Sequence, residues 1–293
     1  MRSPEASQPI ERRVPELDRH THLVAKISDL PAHDHEPMVT PEPRLLARTA
    51  GSLETVPPTV PKQIPAWVDS TLEGFRRLLS ERNPTFPCYF ATIAERAEAL
   101  RYTYIAAAER HAPEPLVPAL IQYLDTYLKI GERSALVVLV ETVETDTLAI
   151  HERQFWRILQ FLHDNDPAAW PTEVPSNPND PNWEFCFNKH ALFVTGHSSL
   201  FMRRRSRSAP AGLLLVLQTR SNLAGIVGHG RAAQRVRQRI RGLVDDFDSI
   251  AVSPNLAVYG DPQTREWRQY WLDDTNRTRR GTCPLRIRVR PRV

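Results

Sequence analysis

Residues 134–141 read SALVVLVE, with six apolar residues in succession from Ala135 to Val140. An unbroken β-rich run of this kind is typical of a central strand covered on both faces, since a half-exposed strand alternates apolar with polar residues. The segments around it supply the cover. Before it, residues 115–131, PLVPALIQYLDTYLKIG, read as a helix closed by Gly131. After it, residues 148–163, LAIHERQFWRILQFLH, read as an amphipathic helix with Phe155, Ile158, Leu159 and Leu162 on one face.

Further out, Val68, Leu72, Phe75 and Leu79 recur at helical spacing, and Pro84 and Pro87 prevent that helix from continuing. A helix over about residues 91–100 and a short strand over residues 101–105, RYTYI, follow. Beyond a proline- and asparagine-rich connector come three strand candidates, EFCF, ALFVTG and GLLLVLQ, and a basic helix over about residues 222–244. This is an α+β layout, a central mixed sheet covered by helices. Residues 1–64 read as an extended or disordered leader, since 11 of the 26 prolines fall before position 66 and no period of 2 or 3.6 is sustained there. His20, His22, His33 and His35 lie in it, and HxH spacing there is a weak metal signal. Residues 65–276 are the expected catalytic domain. Residues 277–293 form a basic tail of seven arginines and no acid, read as a solvated terminus.

Composition narrows the classes. With 293 residues, 41% hydrophobic and 25% charged, the chain should fold as a globular protein. No apolar run reaches the roughly 18–20 residues that cross a bilayer, and the N-terminus lacks the apolar core of a secretory signal. Cys88, Cys186 and Cys283 show no CxxC spacing, which suggests a reducing cytoplasm without structural disulfides. Neither a membrane nor nucleic acid is the expected partner. Walker, GxGxxG, GxSxG and HExxH signatures are absent.

The most informative chemistry lies in residues 185–207, FCFNKHALFVTGHSSLFMRRRSR. A strand-like run delivers His197 beside Arg203, Arg204, Arg205 and Arg207. A haem needs a strong axial donor, an apolar slot and cations for its propionates, and one segment could supply all three. The plainer reading is a structural histidine beside a solvated arginine run. His163 ends the amphipathic helix beside Asp164 and Asp166, and reads as a helix cap, an alternative ligand or a proton donor. Cys88 reads as a packed thiol or a reactive one.

Several ordered motifs resemble the YqcI/YcgG family from about residue 86 to residue 276: FPCYFAT and LRYTY, FW.ILQ.LHD.D, WEF.F, FV.GHSS with R.SR, L..Q.R, and YGD with W.QY.L.D.N. Parts of that family are haem-dependent N-hydroxylases of arginine or of another guanidine, acting in antibiotic or toxin biosynthesis. The guanitoxin-type members carry a proline after the motif histidine and one more residue before it, and both are missing around Gly196–His197–Ser198–Ser199. The resemblance implies haem b with His197 as the first choice of iron ligand, then His163, then Cys88. It implies a cytoplasmic monooxygenase using O2 or peroxide, with L-arginine to Nω-hydroxy-L-arginine as the leading reaction. Arg205, Arg207 and Arg203 are then expected at the haem propionates, with Arg101 or Arg220 as backups. Glu184 is expected to pair with the substrate guanidinium, or else with an arginine of the 203–207 cluster. An electron-donor protein and a homodimer are partners the sequence leaves open. The alternative is a haem or ligand sensor without turnover, or a partner-binding protein using the basic helix.

Overall fold

The computed structural model describes residues 43–57, 63–131, 133–223, 230–256 and 258–289. Its centre is a seven-stranded mixed sheet. The strands are β1 (Leu46–Thr49), β2 (Ser52–Thr55), β3 (Leu100–Ile105), β4 (Ala135–Val140), β5 (Phe185–Phe187), β6 (His190–Ser198) and β7 (Leu213–Thr219), in the order β2-β1-β3-β4-β7-β6-β5. Only β3 and β4 pair in parallel, and the helix α3 (Leu116–Ile130) makes the crossover that a parallel pair requires.

The run that suggested a central strand is β4, in the middle of the sheet with every residue buried. Its two faces feed two cores. Leu136, Val138 and Val140 meet α3 and α4 (Leu148–Asp164) in an aromatic-rich core with Phe155, Trp183, Trp267, Tyr270 and Trp271. Ala135, Val137 and Leu139 face α1 (Ala66–Leu79) and α2 (Tyr89–Arg96), joined by Phe247 at the end of α5 (Arg231–Phe247). Each fully buried Leu or Val contributes about 1.5–3 kcal/mol, so this strand anchors both layers.

Three expectations shift. Part of the leader over 1–64, including all four of its histidines, lies outside the described residues. Its described part holds the hairpin β1–β2, so sheet structure begins well before residue 65. The two-residue turn sets Ala50 at φ 49° and Gly51 at φ 91°, and an alanine in that region is uncommon, which hid the hairpin. The last helix starts at Arg231 rather than near 222, after Gly225, Gly228 and Gly230, residues that weaken a helix. Over residues 277–289 the tail lies against α4 instead of standing in solvent. Leu285 is buried, Ile287 packs on the core, and Arg279 pairs with Glu152 at 2.5 Å. No helix among the described residues is long and apolar enough to cross a membrane.

Candidate functional site

Strand alternation sorts β6 into two sides. Leu192 and Val194 enter the aromatic core, while Phe193, Thr195 and His197 line a cavity of about 250 Å³ on the other face. Its apolar wall includes Phe75, Phe86, Val137, Val216, Val244 and Leu256. Gly196 explains the residue before the histidine. A Cβ there would stand 2.5 Å from Trp271 Cε3 and 2.9 Å from Phe155 Cδ2. Its absence lets the segment 266–272 close on β6, where Gly196 N donates to Tyr270 O at 2.8 Å. That segment carries Glu266, Gln269 and Leu272 to the cavity wall.

His197 is 7% exposed. One ring nitrogen, Nε2, is 3.0 Å from Thr195 Oγ1. The other, Nδ1, is buried and makes no well-formed hydrogen bond, although the Ser208 backbone is near enough to favour the protonated ring as a smaller effect. Burial, reinforced by the Arg207 charge, pushes the pKa down to about 3, so the imidazole is neutral at physiological pH. A neutral buried imidazole with an open nitrogen is a competent metal donor.

The arginine run fans out around a 3₁₀ turn, Arg205–Arg207. Asp274 accepts from the backbone N–H groups of Met202, Arg203 and Arg204, which fixes the turn. Arg204 is fully buried and satisfied by the Asp273 carbonyl at 2.8 Å, Asn276 at 2.5 Å and Asp248 at 3.6 Å. Arg205 pairs with Glu81 at 2.8 Å and lies over the Phe247 ring. Arg203 is exposed. Arg207 alone of the three expected propionate partners lines the cavity. It is 9% exposed, Nη2 donates to Gln269 O at 3.4 Å, and Nη1 has no hydrogen-bond partner among the described residues. Among the described residues no carboxylate lies within ion-pair distance of it. Burial, then Arg204, lowers its pKa to about 10.

Cys88, at the start of α2, also lines the cavity. Burial raises its thiol pKa against the pull of the α2 backbone and Arg207, so it stays protonated. Glu184 is fully buried at the start of β5, and its partner is Arg220, not the 203–207 run. Arg220 Nε donates to Glu184 Oε2 at 2.6 Å, Nη2 donates to Glu184 Oε1, and Nη2 also donates to Glu266 Oε1 at 2.8 Å. Burial pushes Glu184 up to about 8, opposed by Arg220 and reinforced by Glu266. Burial alone would lower Arg220, but the two carboxylates outweigh it and hold its pKa high. Both shifts follow from two carboxylates sharing one guanidinium.

The structure therefore brings His197, Arg207, Cys88 and Arg220 to one cavity, with Glu184 directly behind Arg220. It does not bring His163 there. That ring is buried on the α4 side of the sheet, accepts from Arg288 N at 2.8 Å through Nε2, and packs edge-on against Trp170. Arg101 is turned away too, donating to the Glu98 and Leu100 carbonyls. Glu266, Gln269 and Tyr259 went unassigned in the sequence, although Tyr259 and Gln269 stand in the late YGD and W.QY motifs. Among the described residues no three His, Cys, Asp or Glu side chains converge as a metal cluster, so His197 would act as a single protein donor.

A Bacillus subtilis protein named "Uncharacterized protein YcgG" is 30% identical over 77% of this chain and 90% of its own length. "Uncharacterized protein YqcI" of the same organism is 28% identical over 77% and 90%. A Streptomyces lavendulae protein named "Putative N(omega)-hydroxy-L-arginine synthase DcsA" is 28% identical over 76% and 85%. No solved structure matches the chain at significance. The YqcI/YcgG family profile matches residues 75–286, from the end of α1 through the cavity walls to the docked tail, and the chain belongs to the YqcI/YcgG family.

Proposed function

We propose that this protein is a haem-dependent N-hydroxylase of a guanidine or amine nitrogen, with L-arginine to Nω-hydroxy-L-arginine as its leading reaction. The observation that carries the reading is a pair of unsatisfied groups on one apolar cavity. His197 keeps a buried ring nitrogen without a well-formed hydrogen bond, and Arg207 keeps a buried N–H without a partner among the described residues. Buried polar groups are ordinarily satisfied, and an iron macrocycle with anionic edges would satisfy both. The S. lavendulae relative's name supplies the substrate class.

In this reading His197 donates to iron, with Thr195 orienting the ring, and Arg207 takes a propionate. Cys88 ranks below His197 because burial keeps its proton on, whereas His197 is already the neutral donor. When bound, the haem would supply oxygen activation, with O2 and external electrons or with peroxide. The chain's own residues hold the nitrogen in place and keep water out. Substrate and macrocycle together need more room than about 250 Å³, at the small end of ligand pockets, so the cavity has to widen. The wall able to yield is α5, which buries only Ala233 and Phe247 fully.

The test is spectroscopic and chemical. Purified protein titrated with haem should develop a Soret band saturating at one equivalent. The loaded protein, given reductant and O2 or peroxide, should convert L-arginine to a product heavier by one oxygen atom. A folded protein that gains no band overturns the haem reading. A loaded protein that turns over no guanidine leaves a sensor.

A further inference from the structure

The end of the cavity away from His197 carries a second recognition element. Leu192 pairs with Thr219, five residues along β6 from His197, or roughly 17 Å at about 3.4 Å per residue. Arg220 follows Thr219 there, with its guanidinium 3.9 Å from the centre of the Tyr259 ring. The side chains of Glu184 and Glu266 are 0% and 1% exposed, so two buried carboxylates face one guanidinium.

The carboxylates differ in what they can still accept. Arg220 grips both oxygens of Glu184 as a fork, and Glu184 does not line the cavity. Glu266 does line it. Its Oε1 accepts from Arg220, and its Oε2 accepts from Gln269 Nε2 at 2.8 Å. A carboxylate has about four acceptor positions, so Glu266 has capacity left. Gln269, which holds Glu266 with its side chain, also receives Arg207 Nη2 on its carbonyl, and both residues line the same cavity.

We infer that Glu266 is a specificity residue that receives the cationic nitrogen group of the ligand, a guanidinium or an ammonium. The choice of guanidinium rests on the function proposed above; the need for a cation does not. The charge balance supports it. Burial raises both acids, Glu266 adds to the rise at Glu184, and Arg220 opposes at both, while Tyr259, Tyr270 and Cys186 stand around them as neutral groups with raised pKa values. Two buried carboxylates share the single guanidinium of Arg220, so an incoming cation completes the count.

Calorimetric titration of haem-loaded protein with L-arginine and with citrulline, its uncharged ureido isostere, tests this. Wild type should bind arginine on the order of 100-fold more tightly than citrulline, the scale expected when a buried charge pair loses one partner. Glu266→Gln should lose that preference while keeping citrulline binding, the Soret band and a melting temperature at least equal to wild type, since a surplus buried charge has gone. Glu266→Asp should restore part of the preference. An unchanged preference in Glu266→Gln, or no preference in wild type, overturns the inference. A protein that binds arginine through Glu266 but gains no Soret band refutes the haem reading alone.

Discussion

The two ends of the cavity hold buried charge in opposite ways. Around His197 two buried atoms, its Nδ1 and Arg207 Nη1, make no well-formed hydrogen bond, and among the described residues no carboxylate lies within ion-pair distance of Arg207. Around Arg220 the partners are crowded, with two carboxylates on one guanidinium. Three residues before Arg207, Arg204 is buried as deeply and fully paired, so burial in this fold does not by itself leave arginines unsatisfied. The lesson is that one end holds buried donors without acceptors, and the other sets two carboxylates against one guanidinium. Each imbalance describes the ligand that would correct it.

Removing the two arginines tests the contrast most severely. Arg220→Met strands two buried carboxylates and should lower unfolding free energy by about 3–5 kcal/mol in urea titration. Arg207→Met deletes a guanidinium that forms no ion pair among the described residues, and should change it by about 1 kcal/mol or less. Equal losses would abolish the distinction between the ends. Gly196→Ala comes next. Its methyl would meet Trp271 and Phe155 where segment 266–272 closes, and should remove about 1–3 kcal/mol. Gly242→Ala in α5 meets nothing within 4 Å and should add roughly 0.5–1 kcal/mol in the same assay.

The pH dependence of melting gives the finest separation. His197 has a folded pKa near 3, below its usual 6.5, so the folded protein binds fewer protons and stability rises with pH across that window. Glu184 has a folded pKa near 8, above its usual 4.5, so its contribution is present at low pH and is lost as pH rises toward 8. In melting scans from pH 3 to 9, His197→Ala should flatten the acid limb and Glu184→Gln the alkaline one. A single variant that flattens both limbs would show that the ends titrate as one unit.

What the sequence showed and what it hid follow the same division. The run at β4 and the amphipathic face of α4 were legible because short-range periodicity reports burial directly. That His197 and an arginine would meet was legible because they share one segment, although the segment could not show that Arg207 turns to the cavity while Arg205 pairs with Glu81. The Glu266 end was hidden because it is assembled from positions 184, 220, 259, 266 and 269, and only the sheet order brings β5 and β7 to either side of β6. The tail was misread for a local reason. Leu285 and Ile287 turn inward between exposed Arg286 and Arg288, an alternation that the arginine content masked.

The most direct test of the central claim is a metal-ligand rescue. The account predicts that wild type takes up haem with a Soret band, that correctly folded His197→Gly does not, and that added imidazole restores the band by occupying the vacated donor position. A His197→Gly protein with the wild-type spectrum and no response to imidazole would contradict it.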